Sequence, residues 1–146
     1  QPWRFIYAKR NTESWNKFFN LLDEGNKIWA KDSAVLVVLI SRKNFEYNEK
    51  SSITHHLDAG AAWENLALVA SDRGIATHGM QGFDYERAKT DLGIPAIYDV
   101  MAMIAIGKRG PKENLPPKLQ QVEFPNDRKP LEEIVMEGYF KEPEKH

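Results

Sequence analysis

A small mixed sheet flanked by helices, an α/β (α+β) sandwich, is the fold class that the sequence predicts. Three observations carry it. An uninterrupted apolar run, Ala34–Ile40, has the character of a strand covered on both faces, and Tyr98–Ile106 reads as a second buried strand. Between them lies a segment whose centre, Ala59–Ala70, has only Glu64 and Asn65 as polar residues. A helix apolar on nearly every face is a buried one. Strand-like and helix-like periods also alternate along the chain, in the order strand, helix, strand, long helix, short strand, helix, strand.

In order, Trp3–Ala8 alternates apolar and polar residues as a strand does. Asn11 or Thr12 caps a helix carrying Trp15, Phe18, Phe19 and Leu22 at helical spacing, with Gly25 closing it. These aromatics are read as core. Asn26–Lys31 adds a further turn or two of helix, and the first buried strand follows. Arg42–Ser52 is polar, without Gly or Pro, and reads as a mobile loop. The long helix starts at Ser51–Ser52 and stops at Gly74, with Arg73 in its last turn. Ile53–Arg73 gives a rod of roughly 30 Å. Gly60, Ala61 and Ala62 are small enough to let another helix approach closely.

After the helix come a short apolar step, Gly74-Ile75-Ala76, and a glycine-spaced loop, Gly79-Met80-Gln81-Gly82. Asp84 caps a short helix through Asp91, which Gly93-Ile94-Pro95 breaks. The second buried strand ends at Gly107. Lys108–Pro130 holds five of the eight prolines and many charges, so it is an extended excursion. Leu131–Val135 is a last apolar stretch, strand or helix, and Lys141–His146 is a polar tail.

With 146 residues the prior is one domain, 1–146. A net charge of −1 with mixed signs gives no reason to expect nucleic acid or an anionic membrane as partner. The absence of cysteine excludes disulfides, thiol catalysis and zinc–thiolate sites. No apolar run reaches the ~20 residues that span a bilayer, and no secretory signal is visible, so a cytoplasmic protein is expected. The chain opens Gln1-Pro2-Trp3 without an initiator methionine and enters a strand almost at once. It reads as a fragment or a processed form. The sheet is too small for the apolar surface of the central helix, which predicts a second subunit, most simply in a homodimer.

Gln1-Pro2-Trp3-Arg4-Phe5, the helix pattern Asp58-x-Gly60-x-Ala62-x-x-Asn65-Leu66-x-Leu68-x-Ala70 and the segment Gly74-Ile75…Gly79-Met80-Gln81-Gly82-Phe83-Asp84 resemble the nitroreductase family of FMN-dependent oxidoreductases. Ile104-Ala105-Ile106-Gly107-Lys108 and Arg128-Lys129-Pro130-Leu131-Glu132-Glu133-Ile134-Val135 extend the resemblance, in the family's order, over almost the whole chain. The resemblance implies a nitroreductase-like sandwich with the long buried helix at a dimer interface, two FMN sites there, and a C-terminal arm crossing to the other subunit. It implies two-electron transfer from NAD(P)H through flavin to a nitroaromatic, quinone or similar small acceptor, with the hard chemistry supplied by the cofactor. No acid–base pair or triad is required, and none is assigned.

By the same resemblance, the backbone of Gly79, Met80 and Gln81 lies against the isoalloxazine edge, where a glycine lets main-chain N–H groups come close to N5 and O4. Gln1 ends a polar segment that reaches the flavin, and Arg128 and Lys129 meet the FMN phosphate, a task suited to the planar guanidinium fork. The family's N-terminal Arg-Ser-x-Arg phosphate clasp has no counterpart here, so the chain reads as N-terminally truncated. That departure motivates an alternative, a binding or dimerisation module without turnover. Gln81 stands where many relatives carry glycine.

Other residues invite roles of their own. Neighbouring histidines in a helix point about 100° apart, so His55 and His56 are not read as a chelating pair and no metal is assigned. His78 adjoins the loop and is read as a structural hydrogen-bond partner before a proton carrier. Glu64 and Asn65 need polar partners inside the apolar helix. Trp63 is assigned to packing. The loops Arg42–Ser52 and Lys108–Asn126 are too plain to name an acceptor.

Overall fold

The computed structural model describes residues 1–142; of the polar tail 141–146, residues 143–146 lie outside the described residues. The chain forms two compact units, 1–110 and 111–146. The first holds β1 (Trp3–Lys9), α1 (Trp15–Phe19), α2 (Glu24–Ala30), β2 (Val35–Arg42), α3 (His55–Asp72), β3 (Ala76–Met80), α4 (Tyr85–Asp91) and β4 (Tyr98–Gly107). The second has a 3-10 turn at Lys112–Asn114 and two one-turn helices, α5 (Pro117–Gln120) and α6 (Leu131–Ile134). Each of these helices follows a proline whose fixed φ suits a helix start. The last apolar stretch, strand or helix by sequence, is helical over its first four residues.

The α+β class and the small sheet agree with the sequence. The pairing does not: a mixed sheet was expected, and the four strands run in the order β1-β2-β4-β3 with every neighbouring pair antiparallel. The connection through α3 crosses over from β2 to β3, which run parallel to each other, and β4 enters antiparallel between them.

β2 is the central strand, and its residues Leu36–Ser41 are buried on both faces. Leu36, Val38 and Ile40 point to a core built with Phe18, Leu21, Leu22, Ala30, Ala88 and Met103 beneath α1, α2 and α4. Val37 and Leu39 point the other way, to Ala59, Ile104, Trp63 and Phe5 beneath α3. The sheet is therefore the middle of three layers.

α3 is shorter than expected and less covered. Its N-cap is Thr54, without a side-chain cap bond, in place of Ser51 or Ser52. Ala59, Ala62, Trp63, Leu66, Ala67 and Ala70 recur at helical spacing, buried or half-buried against the sheet. The opposite side was expected to be buried and is not: Leu57 is 72% exposed, Leu68 59% and Val69 53%. Glu64 and Asn65 are exposed too, so water satisfies them. The helix ends as a Schellman motif, with Ile75 N–H donating to Ala70 C=O at 2.9 Å and Gly74 N–H to Ser71 C=O at 3.0 Å. Gly74 takes φ +67°, which a side chain disfavours. Among the described residues, no helix is long and apolar enough to cross a membrane.

Several local expectations shift. α1 is capped at Ser14 and ends at Phe19, while Gly25 lies inside α2, whose N-cap Asp23 accepts from Asn26 N–H at 2.7 Å. The loop after β2 is pinned: Asn44 and Ser51 form a bridge, and Arg42 pairs with Glu49 at 2.6 Å. Two charged residues thus supply the closure that a Gly or Pro turn would otherwise give. Asp84 caps α4 as predicted, accepting from Arg87 N–H at 2.9 Å.

Where β2 meets β4 the register slips by one. Leu39 faces Ala102 but Ile40 faces Val100, which leaves Met101 as the extra residue of a β-bulge. Beyond it Ser41 pairs with Asp99, so Asp99 shares the α3 face with Ser41, and Val100 joins the opposite core. Ser41 is fully buried; its hydroxyl donates to His55 C=O at 2.7 Å and lies 3.1 Å from His55 Nδ1.

Two outcomes follow from this packing. A Cβ at Gly82 would sit 2.1 Å from Asp23 Oδ2, so Gly82→Ala dislodges the α2 cap. A loss of about 1–3 kcal/mol is expected in urea unfolding, at least as large as that of Asp23→Ala. Burial first, then His56, holds the His55 imidazole below its ordinary value; Lys43 adds to this, and Asp99 and Asp58 oppose it. A histidine kept neutral in the folded chain contributes stability above the unfolded value of about 6.5 and loses it as pH falls toward the folded value. Unfolding free energy measured from pH 7.5 to 5 should therefore drop with acid, with a shallower slope in His55→Asn.

Candidate functional site

The Schellman turn at Gly74 carries the chain from α3 into β3, an outer strand of the sheet. The expected Gly-x-x-Gly loop is half strand, because Gly79 and Met80 close β3, opposite Ile104 and Met103 of β4. Met80 is buried in the core, 4% exposed, between the exposed Gly79 and Gln81. Gly79 lies beneath the Trp63 indole: a Cβ there would meet ring atoms from 3.4 Å. An added methyl at 79 would rest in ordinary contact with that ring, whereas one at 82 would collide with the Asp23 cap. Packing within the chain therefore sets the glycine at 82.

Gln81 is exposed and Gly82 half-buried. Gly82 C=O accepts from Asp23 N–H and Asn26 Nδ2, both at 3.0 Å, and Gln81 C=O accepts from Phe83 N–H at 3.0 Å. Their own N–H groups have no acceptor among the described residues. The carbonyls fix the backbone while the donors stay available, an arrangement suited to an electron-rich edge of a ligand. His78 meets the edge of Trp29, with ring centroids 4.8 Å apart, an aromatic contact in place of the expected hydrogen bond.

The remaining residues singled out from sequence lie elsewhere. Gln1 precedes β1, at the opposite edge of the sheet from β3, and its carbonyl accepts from Arg4 Nη1 at 2.6 Å. Three strand spacings of ~4.8 Å separate those edges, roughly 14 Å. One chain therefore does not bring Gln1 together with Gly79, Met80 and Gln81. In the second unit Arg128 is exposed, its Nη1 held by Asn126 Oδ1 at 2.7 Å. Lys129 Nζ stands 3.5 Å from Glu133 Oε2, one helical turn on.

A cluster escaped the sequence reading. His55 and His56 open α3 with ring centroids 4.0 Å apart, and Asp99 Oδ2 lies 3.1 Å from His56 Nε2 and 3.8 Å from His55 Nε2. The rule that neighbouring helical residues diverge holds for their Cβ directions. Rotation about χ1 and χ2 overcomes it here, and both rings lean over the bulged end of β4. No local pattern marks Asp99, because the bulge that aims it forms only on pairing with β2. Next to the cluster is an open cleft of about 270 Å³, lined by His56, Asp99, Tyr85, Glu86, Lys89 and Met101.

Comparison with known proteins sets this architecture in context. The profile of the nitroreductase family matches residues 5–108. A crystal structure described as an oxidoreductase containing FMN superposes with a TM-score of 0.92 at 43% identity, over 97% of this chain and 73% of its own. A nitroreductase family protein of Streptococcus pneumoniae TIGR4 shares the fold, with a TM-score of 0.70 at 19% identity over 94% of this chain and 79% of its own. In sequence, a 15.4 kDa protein of Mycolicibacterium smegmatis is 28% identical across 96% of this chain and 99% of its own. The four-stranded antiparallel sheet, the helix α3 and the Gly79–Gly82 rim are thus those of a member of the nitroreductase family, to which this chain belongs.

Proposed function

We propose that this chain is an FMN-dependent oxidoreductase that passes two electrons from NADH or NADPH to a small acceptor such as a nitroaromatic or quinone. The observation that carries this reading is the pair of free main-chain donors at Gln81 and Gly82, on the rim of an outer strand in a chain of this family. The FMN-containing relative at 43% identity supports it.

The residues present fit a flavin. Gly79 and Gln81 are exposed at the rim, and Met80 between them anchors the segment in the core. The N–H groups of Gln81 and Gly82 would hold the flavin edge at N5 and O4, where negative charge accumulates on reduction. FMN, when bound, supplies the electron-transfer chemistry. Arg128 and Lys129 are proposed for its phosphate. Asn126 leaves the Nη2 and Nε of Arg128 for a forked contact, the geometry that favours arginine at phosphates.

A homodimer belongs to the same proposal. The exposed apolar side of α3, with open space above Gly60, suits a second copy of the helix. A flavin shared between copies would use Gln1 of one and Gly79–Gln81 of the other, which a single chain holds apart. Residues 1–146 are read as one nitroreductase-like domain. A cytoplasmic setting, where reduced nicotinamides are held, completes the proposal.

The test is an absorbance scan of the purified protein with FMN, followed by anaerobic NADH or NADPH. A flavin band that co-elutes with the protein and bleaches with the nicotinamide is the expected outcome. A stable protein that stays colourless in excess FMN would favour a binding or dimerisation module without turnover. For the phosphate, Arg128→Glu should weaken FMN binding about tenfold or more by fluorescence titration, and Lys43→Glu should change it far less. Equal effects would remove Arg128 from the site.

A further inference from the structure

We infer that His55, His56 and Asp99 form a binding site for one divalent first-row transition cation of the zinc class. Their donor atoms all lie within 4.8 Å of one another, and both imidazole Nε2 atoms face the same carboxylate oxygen. Around zinc, at about 2.0–2.2 Å from each ligand, donor atoms stand about 3.3 Å apart. The pair His56–Asp99 is at 3.1 Å and His55–Asp99 at 3.8 Å, so closure asks for a small shift of the part-exposed Asp99 carboxylate toward His55, with the exposed His56 ring following.

The hydrogen bonds fix which atom of His55 is the ligand. The Ser41 hydroxyl spends its proton on His55 C=O at 2.7 Å, since a carbonyl only accepts. Ser41 Oγ must then accept from His55 Nδ1–H at 3.1 Å. In neutral His55 this leaves Nε2 with a lone pair aimed at Asp99 Oδ2. Two acceptors face each other there, which is unfavourable until a cation sits between them. A hydrogen bond on the second ring nitrogen is also what orients a metal-binding histidine and fixes its tautomer.

The backbone builds the third ligand deliberately. Without the bulge at Met101, Val100 would stand opposite Ser41 and Asp99 would point to the other core. Bulges re-aim single side chains in this way near functional sites. Two imidazoles and one carboxylate suit zinc, cobalt, nickel or iron in preference to magnesium or calcium, which favour all-oxygen shells. The open cleft beside His56 and Asp99 leaves room for a water or a ligand in a fourth position. Asp58 and Glu86 favour a cation nearby, and Lys43 and Lys89 oppose it, with Lys89 already paired to Glu86 at 2.9 Å. The site lies nearer the start of β4 than Met103, the partner of Met80, and its occupancy does not depend on flavin.

The test uses full-length protein stripped with chelator and free of flavin, titrated with Co²⁺ at pH 7.5 while the visible d–d bands are recorded. Saturation at one equivalent, with displacement by Zn²⁺, is expected. His56→Ala and Asp99→Asn should each weaken the affinity by about tenfold or more, and Ser41→Ala by about 10–100-fold through loss of the His55 tether. Far-UV circular dichroism checks that each variant is folded. A folded wild type with no saturable band overturns the site, as does affinity unchanged in either His56→Ala or Asp99→Asn. Because neither flavin nor nicotinamide is present, this result stands apart from that of the oxidoreductase assay.

Discussion

Everything in the first unit depends on β2 having to be covered twice. Leu36 to Ser41 are buried on both sides, so no single layer of helix can shelter the strand. Even side chains require one cover and odd side chains another, because side chains alternate along a strand. α1, α2 and α4 supply the first and α3 the second. The burial of five apolar side chains here, at about 1.5–3 kcal/mol each, is what makes the order of the surrounding elements obligatory. The outer strands inherit their register from this centre and leave one edge free, and the rim at Gly79–Gly82 is built on one of those edges.

α3 meets this need with only part of its surface. The small residues Ala59, Ala62, Ala67 and Ala70 bring it close to the sheet, and Trp63 fills the remaining space above Gly79. An apolar residue on the far side gains nothing within the chain. Composition alone made the helix look wholly buried, since it records how many apolar residues there are and not how many partners the fold provides. The discrepancy is a surplus of unburied apolar area, which is the physical case for a second copy.

Sequence signals that act over a few residues were legible. β2, β4, the Asp84 cap and the glycine stops at Gly74 and Gly93 all lie where local chemistry puts them, and Gly93 shares the positive φ of Gly74. Features made by distant residues were not. The short strand after the long helix was expected, but Ala-Thr-His-Gly-Met is too polar to place it, and it lies at Ala76–Met80 because β4 offers an edge there. The glycine-spaced segment was found, but the reason for Gly82 was hidden, since Asp23 arrives from another element. His55 and His56 were noticed, whereas Asp99 drew no attention because its direction is decided by a strand more than fifty residues earlier.

The bulge at Met101 has a meaning for how such a protein can change over time. A one-residue insertion or deletion in a strand ordinarily turns every later side chain inside out, and lineages that carry it are lost. Here the slip lies near the start of β4, and only Tyr98, Asp99 and Val100 precede it. A straightened pairing that took Met101 into the ladder would bring Val100 opposite Ser41 in place of Asp99, a valine for a carboxylate over the histidines. The chemistry at this end of the sheet is thereby set by the register of three residues, apart from the longer register that holds the fold.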